Sequence, residues 1–318
     1  MEYCKSFIDK VGNSSSTHGW CMSIDRILVQ CDCDRQPSVF DSIVAIDSGV
    51  NHVLRYCAVT PDSVVPLVHG AMFTRGGSAL ASTALFIGGS DVKLAESVFE
   101  RVKATFFRNV RVSVLFDPSG CNTTASAAMV AMSRHIKPLG ERALVLGGTG
   151  PVGQRVARLL AIRGASVDLV SRQKSRAEMV CNSILTEIGT GNIRPVEMSF
   201  EGIAGQEFLQ SVREARMIVS AGAAGVVLLN ESIRKQAHNA VVMVDLNAVP
   251  PSGIEGISPL NKASSLDSAY AYGAMGVGGI KMRIHRASIE RLFQSNDAVL
   301  DAEEILCIGE ELEAAQNP

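Results

Sequence analysis

The residues best suited to chemistry lie in one glycine-rich segment, Gly148-Thr149-Gly150-Pro151-Val152-Gly153. It follows an aliphatic stretch and precedes an apolar pattern of helical period. In this setting Gly148 permits a tight turn, Gly150 lets the backbone approach a pyrophosphate, and Gly153 lets the helix pack on the strand. N–H groups at the helix start then bind the phosphates. The segment predicts a dinucleotide-binding loop rather than a nucleoside-triphosphate P-loop, which needs Gly-Lys-Ser/Thr.

The residues after the next predicted strand indicate which dinucleotide would bind. An Asp or Glu at that strand end would bind the ribose hydroxyls of NAD. The chain instead has Ser171 and Arg172, followed by Lys174 and Arg176. A guanidinium holds a 2′-phosphate through paired, charge-assisted hydrogen bonds. The sequence therefore favours NADP, with NAD possible, and Asp168 is expected on the outer side of the strand.

Two further aliphatic segments predict strands that end at the same edge of the sheet. One runs into Ala221 and Gly222, and the other runs into Asn247. Rossmann folds place the nicotinamide at this edge, so these three residues are further candidates for cofactor binding. Ordinary strand-to-helix turns are the alternative interpretation.

The order of predicted elements gives the fold class. The chain has 318 residues, 47% of them hydrophobic but only 5% aromatic, and it contains 28 glycines. Strands and helices alternate, which predicts an α/β protein of two domains, a Rossmann-type NADP domain and a smaller α/β substrate domain. We assign residues 1–26 to an N-terminal extension, 27–124 with 284–318 to the substrate domain, and 125–283 to the NADP domain.

Charge and cysteine usage argue against several classes of protein. The net charge is −2 without a basic tract, which disfavours nucleic-acid and membrane partners. No apolar stretch approaches the roughly 20 residues of a membrane helix, and no signal core is evident, so a cytoplasmic location is expected. Eight cysteines form no CxxC pair and are expected to be reduced thiols, and no metal site is predicted.

With these features in view, the chain resembles the NADP-dependent methylene-tetrahydromethanopterin dehydrogenases, a family that includes forms acting on methylene-tetrahydrofolate. The resemblance covers about residues 27 to 310. The matching segments are PSVFD (37–41), VTPD (59–62), TRGG (74–77), NTTA (122–125), GTGPVG (148–153), SAGA (220–223) and GVGGIKMRIHRA (276–287). The resemblance implies a reduced pterin bound between two domains, direct hydride transfer to the nicotinamide without metal or flavin, and a homo-oligomer, often a trimer.

Hydride loss from a methylene group between two nitrogens leaves a resonance-stabilised methenyl cation, so no general base is required. The protein must supply proximity and exclude water. Three candidates for the catalytic site follow: Thr124 near the domain junction, Lys281 as a donor to the pterin, and Asp41 as counter-charge or acceptor. Their alternatives are a helix N-cap, a solvated lysine and an ordinary helix charge. His285 and His52 are predicted to be mainly structural.

Three other functions compete with this prediction. The substrate could be methylene-tetrahydrofolate. A shikimate-type NADP alcohol dehydrogenase would need a proton-relaying Lys–Asp pair in the first domain, and Lys93 and Lys103 lie on a helix predicted to be at the surface. A non-catalytic NADP-sensing protein would retain the glycine loop without turnover.

Overall fold

The computed structural model describes residues 24–316, so the predicted N-terminal extension lies outside the described residues except for its last three positions. The strands are β1 (Ile27–Asp32), β2 (His52–Tyr56), β3 (Thr83–Gly88), β4 (Ser113–Phe116), β5 (Arg142–Leu146), β6 (Ser166–Ser171), β7 (Asn192–Glu197), β8 (Met217–Ser220), β9 (Val242–Asp245), β10 (Ser264–Leu266), β11 (Ala269–Tyr272) and β12 (Val299–Leu300). The helices are α1 (Val39–Asp47), α2 (Val64–Phe73), α3 (Val92–Thr105), α4 (Cys121–Ser133), α5 (Pro151–Ile162), α6 (Lys174–Ile188), α7 (Gly202–Glu214), α8 (Glu231–Arg234), α9 (Ala274–Arg291) and α10 (Ala302–Gln316).

The first sheet has five strands in the order β12-β4-β3-β1-β2, all parallel. Strands β3 and β4 are buried along their whole length, which matches their continuous apolar sequences and the helices that cover a parallel sheet. The strand order reverses direction between β1 and β3. The carboxyl ends of these strands therefore frame a crevice of the kind in which open α/β sheets bind ligands.

The second sheet has seven strands in the order β10-β11-β9-β8-β5-β6-β7, parallel except for the β10–β11 pair. From β7 to β11 this is the strand order of a Rossmann fold, and the order reverses between β5 and β8. The prediction of a two-sheet α/β fold with a Rossmann-type domain is confirmed. The predicted glycine loop follows β5, directly at the reversal.

Helices α4, α5, α9 and α10 pack together between the two sheets and share one apolar core. The predicted domain boundaries fall inside two of these helices: residue 124 lies in α4 and residue 283 lies in α9. Residues 284–291, which the sequence assigned to the substrate domain, form the second half of α9, and this helix begins ten residues earlier. Burial of Val277 and Ile280 in the core explains why the helix tolerates the glycines at 278 and 279. The division into domains stays our proposal.

None of the helices within residues 24–316 combines the length and apolarity needed to cross a membrane.

Candidate active site

The glycine loop connects β5 to α5 by close backbone packing. The left-handed residue of the turn is Gly147, with φ of +71°, and not Gly148 as the motif predicted. A Cβ atom at Gly147 would lie 2.7 Å from the backbone of Gly222, which follows β8. At Gly153 a Cβ would lie 2.6 Å from the Gly147 carbonyl oxygen. These glycines bring the loop, helix α5 and the end of β8 into direct contact.

Gly150 differs from its neighbours because protein packing does not require it. A Cβ atom there would meet no protein atom closer than 3.5 Å, which is an ordinary contact. Gly150 is the N-cap of α5 and has no side chain to bind the first N–H groups of the helix. At Gly150, room for a ligand therefore lies next to backbone N–H groups that no cap residue binds. A pyrophosphate would approach the loop at this position.

A cavity of about 650 Å³ opens in front of this loop. Seven of the predicted cofactor-binding residues line it: Thr149, Gly150, Ser171, Arg172, Arg176, Ala221 and Gly222. Gly147, Met198 and Leu228 also line it and were missing from the prediction. The remaining predicted residues, Gly148, Pro151, Val152, Gly153, Lys174 and Asn247, do not line the cavity.

Polar contacts explain why two of those side chains are turned elsewhere. Lys174 forms an ion pair with Glu207, with 3.4 Å between Nζ and Oε2. Asn247 is 7% exposed, and its amide donates to the Pro251 carbonyl oxygen over 3.1 Å, so it stabilises a turn. Asp168, expected on an outer surface, is buried and accepts two hydrogen bonds from Arg194 at 2.6 and 2.9 Å.

The cations that do reach the cavity are Arg172 and Arg176. Both side chains are exposed, and neither forms an ion pair with any residue of 24–316. Ser171, at the end of β6, is buried and bonds the backbone N–H of Gln173 over 3.3 Å, which turns the chain toward the cavity wall. Two free guanidinium groups and no carboxylate line this end of the cavity, an arrangement that suits a phosphate on the adenosine ribose.

The second polar cluster lies where β4 of the first sheet ends. Asp117 is fully buried, and one carboxylate oxygen accepts the backbone N–H groups of Asn122 and Thr123 at 2.9 and 3.0 Å. Its other oxygen accepts the Thr123 hydroxyl at 2.6 Å. Asp117 thus caps α4 from a position outside the helix. Asp117 is absent from the predicted site because its segment, DPSG, resembles an ordinary turn in the sequence.

Thr124 and Lys281 meet at the same turn. The Thr124 hydroxyl donates to the Gly120 carbonyl oxygen over 2.5 Å and is not the N-cap, which is Gly120 itself. Gly120 has φ of +63°, and a Cβ atom there would overlap the Lys281 ammonium group. Lys281 is half-buried and forms neither an ion pair nor a hydrogen bond with any described residue. Its ammonium group lies 5.7 Å from the centre of the Phe40 ring.

Asp41 faces this cluster from α1. Its side chain is 13% exposed, and burial raises its pKa to about 7, against the lowering effects of the hydrogen bond with Ser38 and of the Lys281 charge. The carboxyl group therefore titrates near neutral pH. Asp41 and Lys281 lie close enough for the lysine charge to act on the carboxyl group, and Thr124 belongs to the turn beside Lys281.

His285, predicted to be structural, is part of the same cluster. It lies one helical turn after Lys281, is completely buried, and stands between the rings of Phe40 and Phe86 at 6.1 Å from each. Neither ring nitrogen has a hydrogen-bond partner among residues 24–316, and Nε2 lies 3.9 Å from Asp41 Oδ1. Burial lowers the pKa of His285. The i, i+4 spacing from Lys281 was the available sequence signal.

The part of the chain that the structure describes holds no group of three or more His, Cys, Asp or Glu side chains placed to bind a metal ion. Two sheets, a glycine loop at the strand-order reversal of the second sheet and a cavity of about 650 Å³ beside that loop define an α/β protein with a Rossmann-type fold. Comparisons with known sequences narrow this class. Residues 39–119 match the family model "Methylene-tetrahydromethanopterin dehydrogenase, N-terminal".

Two relatives from Methylorubrum extorquens AM1 extend this match over most of the chain. The bifunctional protein MdtA is 40% identical over 289 residues, which cover 90% of this chain and 99% of the relative. An NAD(P)-dependent methylenetetrahydromethanopterin dehydrogenase is 29% identical, covering 85% of this chain and 90% of the relative. The chain belongs to the methylene-tetrahydromethanopterin dehydrogenase family. Among solved structures, 5-ketofructose reductase of Gluconobacter sp. strain CHM43 is 14% identical and covers 91% of this chain and 99% of its own, with a TM-score of 0.49.

Proposed function

We propose that the protein transfers a hydride from the methylene carbon of methylene-tetrahydromethanopterin to NADP, which gives methenyl-tetrahydromethanopterin and NADPH. The observation that carries this proposal is the pair of polar sites joined by α4 and α5. One is a glycine-lined cavity with two free guanidinium groups, and the other is a buried cluster around an unpaired lysine. The names of both relatives from Methylorubrum extorquens are compatible with it.

In this proposal the glycine loop and the start of α5 bind the pyrophosphate. Thr149 and Gly150 supply backbone at the cavity, and Gly150 leaves room for close approach. Arg172 and Arg176 bind the 2′-phosphate, which distinguishes NADP from NAD. Ala221 and Gly222 border the cavity from β8, at the edge where Rossmann folds place the nicotinamide.

When bound, the nicotinamide accepts the hydride. The chain then has to hold the pterin against it with the reacting atoms about 3–3.5 Å apart. Lys281 donates to an oxygen or ring nitrogen of the pterin, away from the carbon that becomes cationic. Asp41 in its ionised form accepts from the pterin and opposes the developing positive charge. Thr124 keeps the Gly120 turn closed so that Lys281 points toward the pterin.

Methylene-tetrahydrofolate is the alternative substrate, because no described residue distinguishes the side arms of the two pterins. We also propose a homo-oligomer, which the family resemblance implies, and a cytoplasmic location, which the sequence composition favours.

The test is the rate of NADPH or NADH formation by purified protein with each methylene pterin and each nicotinamide cofactor, four combinations in parallel. We expect turnover with methylene-tetrahydromethanopterin and NADP to exceed the other three. Faster turnover with methylene-tetrahydrofolate would change the assigned substrate. Folded protein that binds NADP but is silent in all four assays would contradict hydride transfer and favour a sensing role.

A further inference from the structure

Helix α5 begins at the glycine loop and carries a buried arginine that contacts the first sheet. Arg155 is 8% exposed, and all three guanidinium nitrogens are bonded. Nη1 donates to the Pro151 carbonyl oxygen over 3.2 Å, Nη2 donates to Glu96 of α3 over 3.0 Å, and Nε donates to the side-chain oxygen of Asn122 in α4. The planar guanidinium group of Arg155 therefore joins the first turn of α5 to α3 and α4.

Asn122 is the second member of this contact and is itself fully buried. Its amide nitrogen donates to the Phe116 carbonyl oxygen at 2.6 Å and to Asp301, just before α10, at 2.8 Å. Both the amide nitrogen and the oxygen of the Asn122 side chain are thus hydrogen-bonded to other residues, which fixes the orientation of this side chain. The side-chain oxygen of Asn122 accepts from Arg155, and the Cys121 thiol is a second, weaker donor to it at 3.7 Å.

The position of Asn122 in the chain makes this contact relevant to the active site. It directly precedes the two threonines of the cluster at the end of β4, and that turn touches Lys281 through Gly120. Pro151, the other end of the contact, directly follows Gly150 at the cavity. Arg155 itself lines neither the dinucleotide cavity nor the lysine cluster.

We propose that Arg155 is a positioning residue that sets the distance between the nicotinamide and the pterin by locking the first turn of α5 to the first turn of α4. The inference rests on the proposed hydride transfer and adds to it a residue that acts through Asn122. Displacement of a reacting group by about 1 Å can lower a rate roughly 100-fold. Loss of the contact should therefore reduce hydride transfer while leaving NADP binding largely intact.

The experiment compares full-length wild type with Arg155→Met, Arg155→Lys and the control Arg163→Lys. Arg163, at the far end of α5, also joins the helix to another element, through Glu310 of α10 at 2.7 Å, but it contacts neither first turn. We expect kcat to fall roughly 30- to 100-fold in Arg155→Met and less in Arg155→Lys. The NADP dissociation constant should stay within about threefold and the deuterium isotope effect on kcat should rise, since hydride transfer becomes slower than product release.

A second readout does not depend on turnover. Hydrogen exchange of the α4 amides, residues 121–133, is measured with and without NADP. We expect NADP to slow exchange in α4 of the wild type and of Arg163→Lys, and to leave it unchanged in both Arg155 variants. The lysine variant keeps the charge, so it reports on the contact if the methionine variant does not fold.

Any of three results would overturn the role of Arg155. The kcat of the Arg155 variants could stay within threefold of wild type, or weaker NADP binding could explain the whole loss of activity. NADP could also slow α4 exchange equally in all variants. In a further outcome, the wild type shows no turnover with any pterin while NADP still slows hydrogen exchange in α4, and this slowing is lost in the Arg155 variants. That result would overturn the assigned reaction but not the role of Arg155.

Discussion

The two sheets both end in a polar crevice at a reversal of strand order, but the crevices are built differently. At the second sheet, glycines expose backbone and leave an open cavity of about 650 Å³. At the first sheet, side chains from α1, α4 and α9 converge, and His285 and Asp41 are largely buried. The backbone that lines the second crevice at the glycine loop is therefore encoded in one short segment, residues 147–150. The side chains of the first crevice come from residues as far apart in sequence as Asp41 and His285, a separation of 244 positions.

The largest effect should come from the lysine of the first crevice. Replacing Lys281 with Met keeps the aliphatic stem and removes the donor, so kcat/KM for the pterin should fall about 100-fold, the loss of one charged hydrogen bond. The NADP dissociation constant should stay within twofold, because Lys281 does not line the cavity. Steady-state kinetics and NADP titration measure both. Lys235→Met, a surface change next to Glu231, is the control. An equal loss of kcat/KM in both variants would contradict a role of Lys281 in binding the pterin, and an equal loss of NADP affinity in Lys281→Met would contradict independent crevices.

The second crevice should respond in the opposite way. In the double variant Arg172→Ser/Arg176→Ser, the affinity for NADP should fall about 30-fold while that for NAD changes less than threefold, because only NADP carries the 2′-phosphate. Calorimetric titration with both cofactors measures this ratio. Lys174→Ser should have a smaller effect, since Lys174 is paired with Glu207. Parallel losses for NAD and NADP would place the arginines elsewhere on the dinucleotide.

Two glycines of the loop should separate stability from binding. Gly147→Ala should lower the free energy of unfolding by about 1–3 kcal/mol, because Gly147 has a positive φ and its Cβ would overlap Gly222. Gly150→Ala should leave stability within about 1 kcal/mol but weaken NADP binding roughly 10-fold, because the added methyl group makes only ordinary contacts with the protein but occupies space that the pyrophosphate needs. Urea unfolding and NADP titration test the pair. Equal destabilisation would mean that packing alone requires both glycines.

The smallest effect concerns the titration of Asp41. A carboxyl group with pKa near 3.8 in the unfolded chain and about 7 in the folded protein lowers stability as pH rises from about 4 to 7. Asp41→Asn removes this loss, so its stability relative to wild type should increase by about 2 kcal/mol between pH 5 and 8. Urea unfolding at both pH values measures it, with the exposed Asp47→Asn as control. A difference independent of pH would show that Asp41 does not titrate there.

Sequence predicted the fold class because strand and glycine patterns are local, and it found the cavity residues that follow strands directly. It failed where tertiary packing decides. Gly147 is the residue of this turn with positive φ, and the segment after β8 brings Gly222 against it. No rule based on sequence spacing predicts this contact. Lys174 has the expected type and position, but Glu207 on a distant helix holds it. His285 was predicted to be mainly structural, but its complete burial depends on rings from α1 and β3, which the sequence alone does not bring together.

The pairing of β12 with β4 has a consequence for how the chain is made. The first sheet cannot gain its last strand, nor α10 its place against α4, until the ribosome has passed Leu300. Between Phe116 and Val299 the whole seven-stranded sheet emerges, which takes roughly 10–40 s at about 5–20 residues per second. All strands of the Rossmann sheet are therefore synthesised before β12, and the core shared by α4 and α10 closes only after residues 302–316 have been made.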